Sequence, residues 1–271
     1  MVAALAVAAR WPSATAALCA IGPEGPRAVW GPTSHRFALA SVTKLFAAYS
    51  ALVALEEGTL DLDEPAGPPG STVRHLLAHA SGAGPDSGVL AAPGARRIYS
   101  NAGFETLAAH LADRSGMDAT AYVTAAVLEP LGLRDTTFAS PSLAHGLTSS
   151  GRDVARFALE LLRPTLIAPE TLADATTTQF PGLAGVLPGF GSMTPNDWGL
   201  GFEIRSAKAP HWTGRENSPS TYGHFGRAGT FLWVDPERDL ALVALTNKVF
   251  GDWAKDVWPA VSDGVLAATT P

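Results

Sequence analysis

The chain has 271 residues, of which 46% are hydrophobic and 16% are charged, so it can bury a sizeable core and is not a disordered protein. Its formal net charge of −6 and the lack of any Lys/Arg cluster argue against a nucleic-acid-binding surface. Cys19 is the single cysteine, which excludes an intrachain disulfide and a cysteine cage for a metal ion.

The N-terminal segment bears on localisation. Residues 1–9 are apolar, but they lack a basic region and are followed by Arg10, unlike a secretory signal. Leu18 precedes Cys19 at the position where a lipoprotein signal requires a small residue. No apolar stretch approaches the roughly 20 residues that span a bilayer. We therefore expect a cytoplasmic protein whose partners include neither nucleic acid nor a membrane, and the oligomeric state stays open.

The first elements of the chain are predicted to be a β-hairpin and a helix. Residues 15–21 and 27–31 have strand character and are joined by the Gly/Pro-rich residues 22–26. A helix begins at Ser41, because apolar residues recur from 45 to 55 near the 3.6-residue period of a helix packed on a core.

The middle of the chain, residues 61–197, is predominantly helical in pattern. Amphipathic periodicity predicts helices over residues 101–115 and 151–162. Two long irregular stretches, 80–97 and 181–197, carry most of the glycine and proline here. Loops of that length usually form functional rims or mobile segments.

After Asp197 the hydrophobic period changes to two, which indicates strands. The predicted strands are residues 199–205, 230–234 and 240–246, and a closing helix covers residues 252–266. Pro259 is expected to kink that helix.

These elements predict an α/β (α+β) fold. An antiparallel sheet of about five strands is flanked by N- and C-terminal helices, and an all-helical lobe is inserted between the two halves of the sheet. We expect one domain over residues 1–271, with an α/β lobe from 1–60 plus 198–271 and a helical lobe from 61–197. The site is expected in the cleft between the lobes.

Ser41-Val42-Thr43-Lys44 places a hydroxyl and an amine three residues apart at the start of a helix. Residues i and i+3 of a helix are neighbours, so Lys44 can approach Ser41. A serine hydroxyl needs such a base to become a nucleophile, and the amine serves only if its pKa is lowered. The alternative is an ordinary N-cap serine followed by a surface lysine.

Two further polar segments lie at the edges of apolar elements. In Tyr99-Ser100-Asn101, the phenol of Tyr99 could accept the Ser41 proton if a nearby ammonium makes that phenol more acidic. The alternative is that Tyr99 only packs and that Asn101 is an ordinary N-cap. His224-Phe225-Gly226 precedes Arg227, whose N–H could join that of Ser41 in an oxyanion hole. The alternative there is a glycine-rich turn with a surface histidine.

In this order, the three segments resemble the three motifs of the serine β-lactamases and penicillin-binding proteins. The likeness is strongest to class C β-lactamases, D-Ala-D-Ala carboxypeptidases and family VIII carboxylesterases, and the connecting segments 75–82, 128–133, 146–157 and 223–247 extend it. The resemblance implies a β-lactamase/transpeptidase-like fold without a cofactor.

The resemblance also implies roles for individual residues. Ser41 is the acylated nucleophile, and Lys44 and Tyr99 share the general base and acid roles. The implied substrate-binding residues are Asn101, His224, Gly226 and Arg227.

Departures from the family pattern guide the functional prediction. Many penicillin-recognising members have Lys at the position of His224, where a histidine gives a weaker, pH-dependent charge. We therefore expect a carboxylesterase or amidase acting on small esters or amides. A β-lactamase or D-Ala-D-Ala carboxypeptidase is the first alternative, and a non-catalytic binding protein the second. His75 and His79 are spaced i,i+4 on a predicted helix, but no third ligand is evident and no metal site is expected.

Overall fold

The computed structural model describes residues 1–269. The helices are α1 (Val2–Leu5), α2 (Thr43–Glu56), α3 (Val73–Leu77), α4 (Asn101–Ser115), α5 (Ala119–Val123), α6 (Gly151–Leu162), α7 (Pro169–Ala175) and α8 (Asp252–Ala267). Shorter 3₁₀ turns cover Ala6–Arg10 and Ala40–Val42, and a π-helical turn covers Thr124–Leu128.

The strands are β1 (Ala16–Gly22), β2 (Gly25–Trp30), β3 (Arg36–Ala38), β4 (Thr137–Phe138), β5 (Leu147–Ser150), β6 (Gly185–Leu187), β7 (Gly191–Met193), β8 (Glu203–Ile204), β9 (Tyr222–Gly226), β10 (Thr230–Asp235) and β11 (Leu240–Thr246). The main sheet is antiparallel, has six strands and follows the order β2-β1-β11-β10-β9-β8. The predicted α/β fold with an antiparallel sheet is confirmed.

The sheet has one strand more than the five that we counted, because β9 forms from the segment around His224. Conversely, the strand predicted at 199–205 shrinks to Glu203–Ile204. Gly201 has φ +82°, a left-handed conformation that interrupts a strand, and the Gly199 N–H donates to the Phe202 carbonyl at 2.8 Å across this turn.

The core lies on both faces of the main sheet. On one face, α1 and α8 pack through Leu5, Trp258 and Val265 against strand residues such as Phe231 and Leu242. The opposite face is covered by α2 and α6. Successive side chains of a strand point to opposite faces of the sheet, so apolar strands contribute to the core on both faces. No helix within residues 1–269 is long and apolar enough to cross a membrane.

The inserted region is less uniformly helical than predicted. It contains α3, α4, α5 and α7, but β4 and β5 form a small sheet with β3, and β6 and β7 form a hairpin inside the long loop 181–197. Helix α6 also lies within 61–197, yet it packs on β1 and β11 of the main sheet. The division into lobes at residues 60 and 197 stays a prediction.

Candidate active site

Ser41 lies in the 3₁₀ turn Ala40–Val42 that leads into α2, rather than in the first α-helical turn. Ala40 has φ +47°, a left-handed conformation that is uncommon for a residue with a Cβ. Such backbone strain persists only where the surroundings hold it and is often found at functional sites. The sequence indicated the serine but gave no sign of this strained turn.

Strand β9 runs directly behind that turn, and Gly226 makes the approach possible. A Cβ at Gly226 would lie 2.4 Å from the Leu39 carbonyl oxygen and 3.2 Å from the Ala40 Cβ. The Thr230 hydroxyl donates to the same Leu39 carbonyl at 2.9 Å. The lack of a side chain at Gly226 therefore allows β9 to pack against the backbone that precedes Ser41.

Tyr99 contacts Ser41 directly. Its hydroxyl donates to the Ser41 Oγ at 2.7 Å, and the two residues are 58 positions apart. Helix α4 begins at Asn101, and its N-cap is Ser100, the residue after Tyr99, whose Oγ accepts from the Gly103 N–H at 2.8 Å. The alternative that Asn101 is the N-cap is therefore wrong.

Burial sets the protonation state of Tyr99. Desolvation raises the pKa of the phenol well above its ordinary value, and the hydrogen bond to Ser41 lowers it by less. The expectation of a phenol made acidic by a nearby ammonium is therefore wrong, even though the Lys44 Nζ lies 4.8 Å from the Tyr99 ring centroid. Tyr99 keeps its proton near neutral pH and is a donor.

Lys44 is completely buried at the start of α2. Burial lowers the pKa of its amine to about 7, and the charges of Glu105 and Asp86 oppose that shift. Within residues 1–269 its Nζ donates to the Asn101 Oδ1 at 2.8 Å and to the Ala144 carbonyl at 2.9 Å, not to Ser41. The amine is thus partly neutral at pH 7 and lies beside Tyr99.

Asn101 connects Lys44 to the edge of the site. Its Oδ1 accepts from Lys44, and its Nδ2 donates to Asp86 Oδ1 at 3.1 Å. Sequence reasoning missed Asp86, Glu105 and Ala144. Glu105 follows Asn101 by four residues on α4, so helical periodicity could have indicated it, whereas nothing in the sequence brings Ala144 to Lys44.

His224 is buried and uncharged. Its Nδ1 lies 2.7 Å from the Phe225 carbonyl, which can only accept, so Nδ1 carries the proton. Burial, and then the charge of Lys44, lower the pKa of His224 to about 3. The expected pH-dependent charge near neutrality is therefore wrong, because the ring stays neutral there.

Five of the seven predicted site residues, all but Lys44 and Gly226, line a cavity of about 360 Å³, within the range of small-molecule sites. Its polar lining consists of Ser41, Tyr99, Asn101, Glu203, His224 and Arg227. Its apolar lining includes Leu187, Pro188, Trp198, Phe225 and Phe250. Most of the surface available to a ligand is thus apolar.

The paired histidines do not form the helical pair that their spacing indicated. Helix α3 ends at Leu77, and His79 follows with φ +54°, outside the helix. Among residues 1–269 no group of three or more His, Cys, Asp or Glu side chains is arranged to hold a metal ion.

Comparisons with known proteins show the family and the fold of the chain. A family model described as Beta-lactamase matches residues 27–264. The crystal structure of a β-lactamase from Mycobacterium bovis is 56% identical, with a TM-score of 0.97, and the match covers 99% of this chain and 100% of that chain. No curated protein matches the sequence.

More distant structures share the fold. The octameric penicillin-binding protein homologue from Pyrococcus abyssi is 20% identical with a TM-score of 0.78, and the match covers 97% of this chain and 76% of that chain. EstCE1, a hydrolase with promiscuous acyltransferase activity, is 18% identical with a TM-score of 0.79 over 97% of this chain and 96% of that chain.

Fold and comparisons together define a class of proteins built on the β-lactamase and penicillin-binding fold, whose members are generally serine hydrolases. The family match over most of its length shows that the chain belongs to the β-lactamase family.

Proposed function

We propose that the protein hydrolyses ester or amide bonds of small molecules through an acyl-enzyme on Ser41. The observation that carries this proposal is the 2.7 Å contact of the Ser41 Oγ with a buried phenol, beside a lysine whose pKa burial lowers to about 7. A hydroxyl nucleophile requires a neighbouring group able to take its proton, and Lys44 has the pKa for that task.

In the proposed acylation step, the Ser41 Oγ attacks the substrate carbonyl carbon. The serine proton passes to the pair formed by Tyr99 and Lys44, in which the amine is the group able to hold it. The bond to the leaving oxygen or nitrogen breaks, and the proton returns to that atom through the phenol of Tyr99. Water then attacks the carbonyl carbon of the acyl-enzyme and gives a proton to the same pair. The ester bond to Ser41 breaks, the proton returns to the Ser41 Oγ, and the carboxylic acid is released.

Negative charge on the substrate oxygen requires donors placed in advance. The N–H groups of Ser41 and Arg227 are proposed for this role, since both residues line the cavity. Removing one donor of an oxyanion hole costs roughly 3–4 kcal/mol in measured enzymes.

The preference for uncharged substrates rests on the cavity chemistry. His224 is neutral with a pKa of about 3, so it offers no cation to a substrate carboxylate. The surrounding lining is largely apolar. The lining also contains a cation, Arg227, which is exposed to solvent, and an anion, Glu203. We therefore base the preference on the apolar lining and the neutral His224, which suit an ester or amide with apolar substituents better than a penicillin or a peptide with a free carboxylate.

β-Lactam hydrolysis is the second candidate. It is favoured by the similarity to the Mycobacterium bovis protein, which is called a β-lactamase and is 56% identical to this chain. A binding protein without turnover is the third, and the contact between Tyr99 and Ser41 argues against it, because binding alone does not require that geometry.

The test compares p-nitrophenyl acetate and butyrate with a chromogenic cephalosporin, using wild type, Ser41→Ala and the control Ser34→Ala, which alters an exposed serine. We expect ester turnover, little cephalosporin turnover, and a loss of roughly a thousandfold or more in Ser41→Ala only. Mass spectrometry after fluorophosphonate treatment should locate the adduct on Ser41. Wild-type ester turnover by Ser41→Ala would contradict the proposal.

A further inference from the structure

His79 holds the polypeptide on both sides of Tyr99. The Ile98 N–H donates to the His79 carbonyl at 2.9 Å, and the Ser100 N–H donates to the His79 Nδ1 at 3.1 Å. The backbone and the side chain of one residue therefore bind the two amides that flank Tyr99. His79 is 1% exposed, and the proposed mechanism gives this buried titratable side chain no role.

The His79 ring also packs on Tyr99 itself. Their ring centroids are 4.7 Å apart, and the Trp198 ring meets His79 edge to face at 4.6 Å and 88°. These contacts limit the positions open to the Tyr99 ring as well as its backbone. A phenol held in this way needs little reorganisation before proton transfer.

The tautomer of His79 follows from its partners. Because Nδ1 accepts a backbone N–H, the proton of the neutral ring lies on Nε2, where the structure provides no oxygen or nitrogen partner among residues 1–269. Burial and the charge of Lys44 lower the pKa of His79 well below its ordinary value. The ring therefore remains an uncharged acceptor toward Ser100.

The backbone at His79 is also specific. Its φ of +54° lies in the left-handed region, where histidine and asparagine occur more often than most residues. This turn directs the carbonyl toward Ile98 and the ring toward Ser100 within the same residue. The conformation is costly unless such contacts hold it.

We propose that His79 is a positioning residue that fixes the Tyr99 hydroxyl against Ser41. The inference rests on the proposed function, in which Tyr99 transfers the proton. His79 contacts neither Ser41 nor the leaving group in that scheme, so its effect reaches the reaction through Tyr99.

The test replaces His79 by Gly, which accepts the left-handed backbone but removes the ring, and by Asn, which accepts the same backbone and offers Oδ1 in place of Nδ1. Each is made in wild type and in Tyr99→Phe, with His75→Ala as the control histidine, since His75 stacks on Phe180. Ester kinetics are measured well below the melting temperature of each variant.

We expect His79→Gly to lower kcat roughly 10- to 100-fold with a smaller change in KM. His79→Asn should recover most of that loss, and His75→Ala should match wild type. In the Tyr99→Phe background, which lacks the hydroxyl to be positioned, His79→Gly should cause no further loss. A residue with a merely structural role would lower kcat by the same factor in both backgrounds.

The outcomes separate the two proposals. Full activity of Ser41→Ala and Tyr99→Phe would overturn the proposed function. Loss in those variants with wild-type kcat in His79→Gly, or equal losses in both backgrounds, would overturn only the role of His79. Should His79→Gly not fold, ¹⁵N NMR of the wild-type histidines at pH 7 still decides, because a proton on the Nδ1 of His79 contradicts the proposal.

Discussion

At the scale of single residues, the pKa of Lys44 decides whether its amine can accept a proton in the proposed reaction. A lysine with its ordinary pKa is a cation at neutral pH and accepts no proton, whereas burial lowers the pKa of Lys44 to about 7. The same burial raises the pKa of Tyr99. One physical cause therefore makes the amine an acceptor and keeps the phenol a donor, as the proposed reaction requires.

The pH dependence of the reaction follows from this arrangement. Above pH 7 the Lys44 amine is free to accept the Ser41 proton, and below pH 7 it is protonated, so kcat/KM should rise with pH through a midpoint near 7. His224 has a pKa of about 3 and should contribute no limb between pH 5 and 9. A pH profile of ester hydrolysis checks this. A flat profile from pH 5 to 9 is incompatible with Lys44 as the base.

Replacing the carboxylate of Glu105 tests the role of Lys44 more sharply. Its negative charge raises the pKa of Lys44, so Glu105→Gln should move the rising limb to lower pH. The glutamine still has an oxygen to accept from the Ser142 hydroxyl and the Ala144 N–H. Glu24→Gln, in the exposed turn between β1 and β2, is the matched control and should leave the limb in place. If the rising limb of the pH profile moved to higher pH in Glu105→Gln, the assignment of that limb to Lys44 would be wrong.

At the scale of elements, strand β9 positions the turn that carries Ser41. Gly226→Ala would place a Cβ 2.4 Å from the Leu39 carbonyl oxygen, so strand and turn must move apart. A displacement of about 1 Å in an active site can cost roughly 100-fold in rate, and we expect kcat/KM to fall by about that factor. Steady-state kinetics with the p-nitrophenyl esters measure it.

The control for that exchange is Gly251→Ala, at the N-cap of α8. Gly251 has an extended backbone with φ −173°, and a Cβ there would meet its nearest neighbour, the Trp253 Cδ1, at 3.8 Å. Its kcat/KM should equal that of wild type. Equal activity of both glycine variants would show that the close approach of β9 has no part in catalysis.

The elements also show what the sequence could predict. Helices α4 and α6 have the predicted bounds, because their apolar residues recur along one face and their ends carry capping residues. Strand β9 escaped the count of strands because Gly223 and Gly226 remove the alternation that marks a strand. Its place between β8 and β10 is set by pairing across the sheet, which no local pattern records.

The candidate site was likewise predictable where a local sequence pattern marks it and not where the fold alone brings residues together. The positions of Ser41, Lys44 and Tyr99 were readable because they form short motifs. The hydroxyls of Tyr99 and Ser41 meet as that prediction requires, whereas the Lys44 amine donates to Asn101 and Ala144 and not to Ser41. The catalytic roles of all three residues remain proposals. The surroundings of Lys44 were not readable, since Ala144 lies 100 positions away and joins only through the fold. The neutral state of His224 likewise depends on burial, which the sequence of one strand does not reveal.

At the scale of the whole molecule, a buried ionic cluster joins the edge strand β8 to the loop that follows it. The Glu203 carboxylate contacts the amine of Lys208, the His211 ring at 3.0 Å and the Trp212 indole N–H at 2.8 Å. Burial alone would raise the pKa of Glu203, and His211 and Lys208 lower it to about 2. Glu203 therefore stays ionised in the cavity lining, and its hydrogen-bond partners Lys208, His211 and Trp212 are all buried.

Removing that charge should destabilise the whole fold. Glu203→Gln leaves the buried Lys208 without its counter-ion, and breaking a buried pair typically costs about 3–5 kcal/mol in the free energy of unfolding. Urea unfolding at pH 7 measures the difference. Lys255→Gln, which breaks the exposed pair with Asp252, is the control and should change stability by less than about 1 kcal/mol.

The pH dependence of that stability difference provides the second check. The folded pKa of Glu203, about 2, lies below the ordinary value of 4.5, so its stabilisation is complete above pH 4.5 and is lost as the pH falls toward 2. The gap in unfolding free energy between wild type and Glu203→Gln should therefore be widest above pH 4.5 and narrow in acid. A gap that widens in acid would mean that the carboxylate is not held ionised by its neighbours.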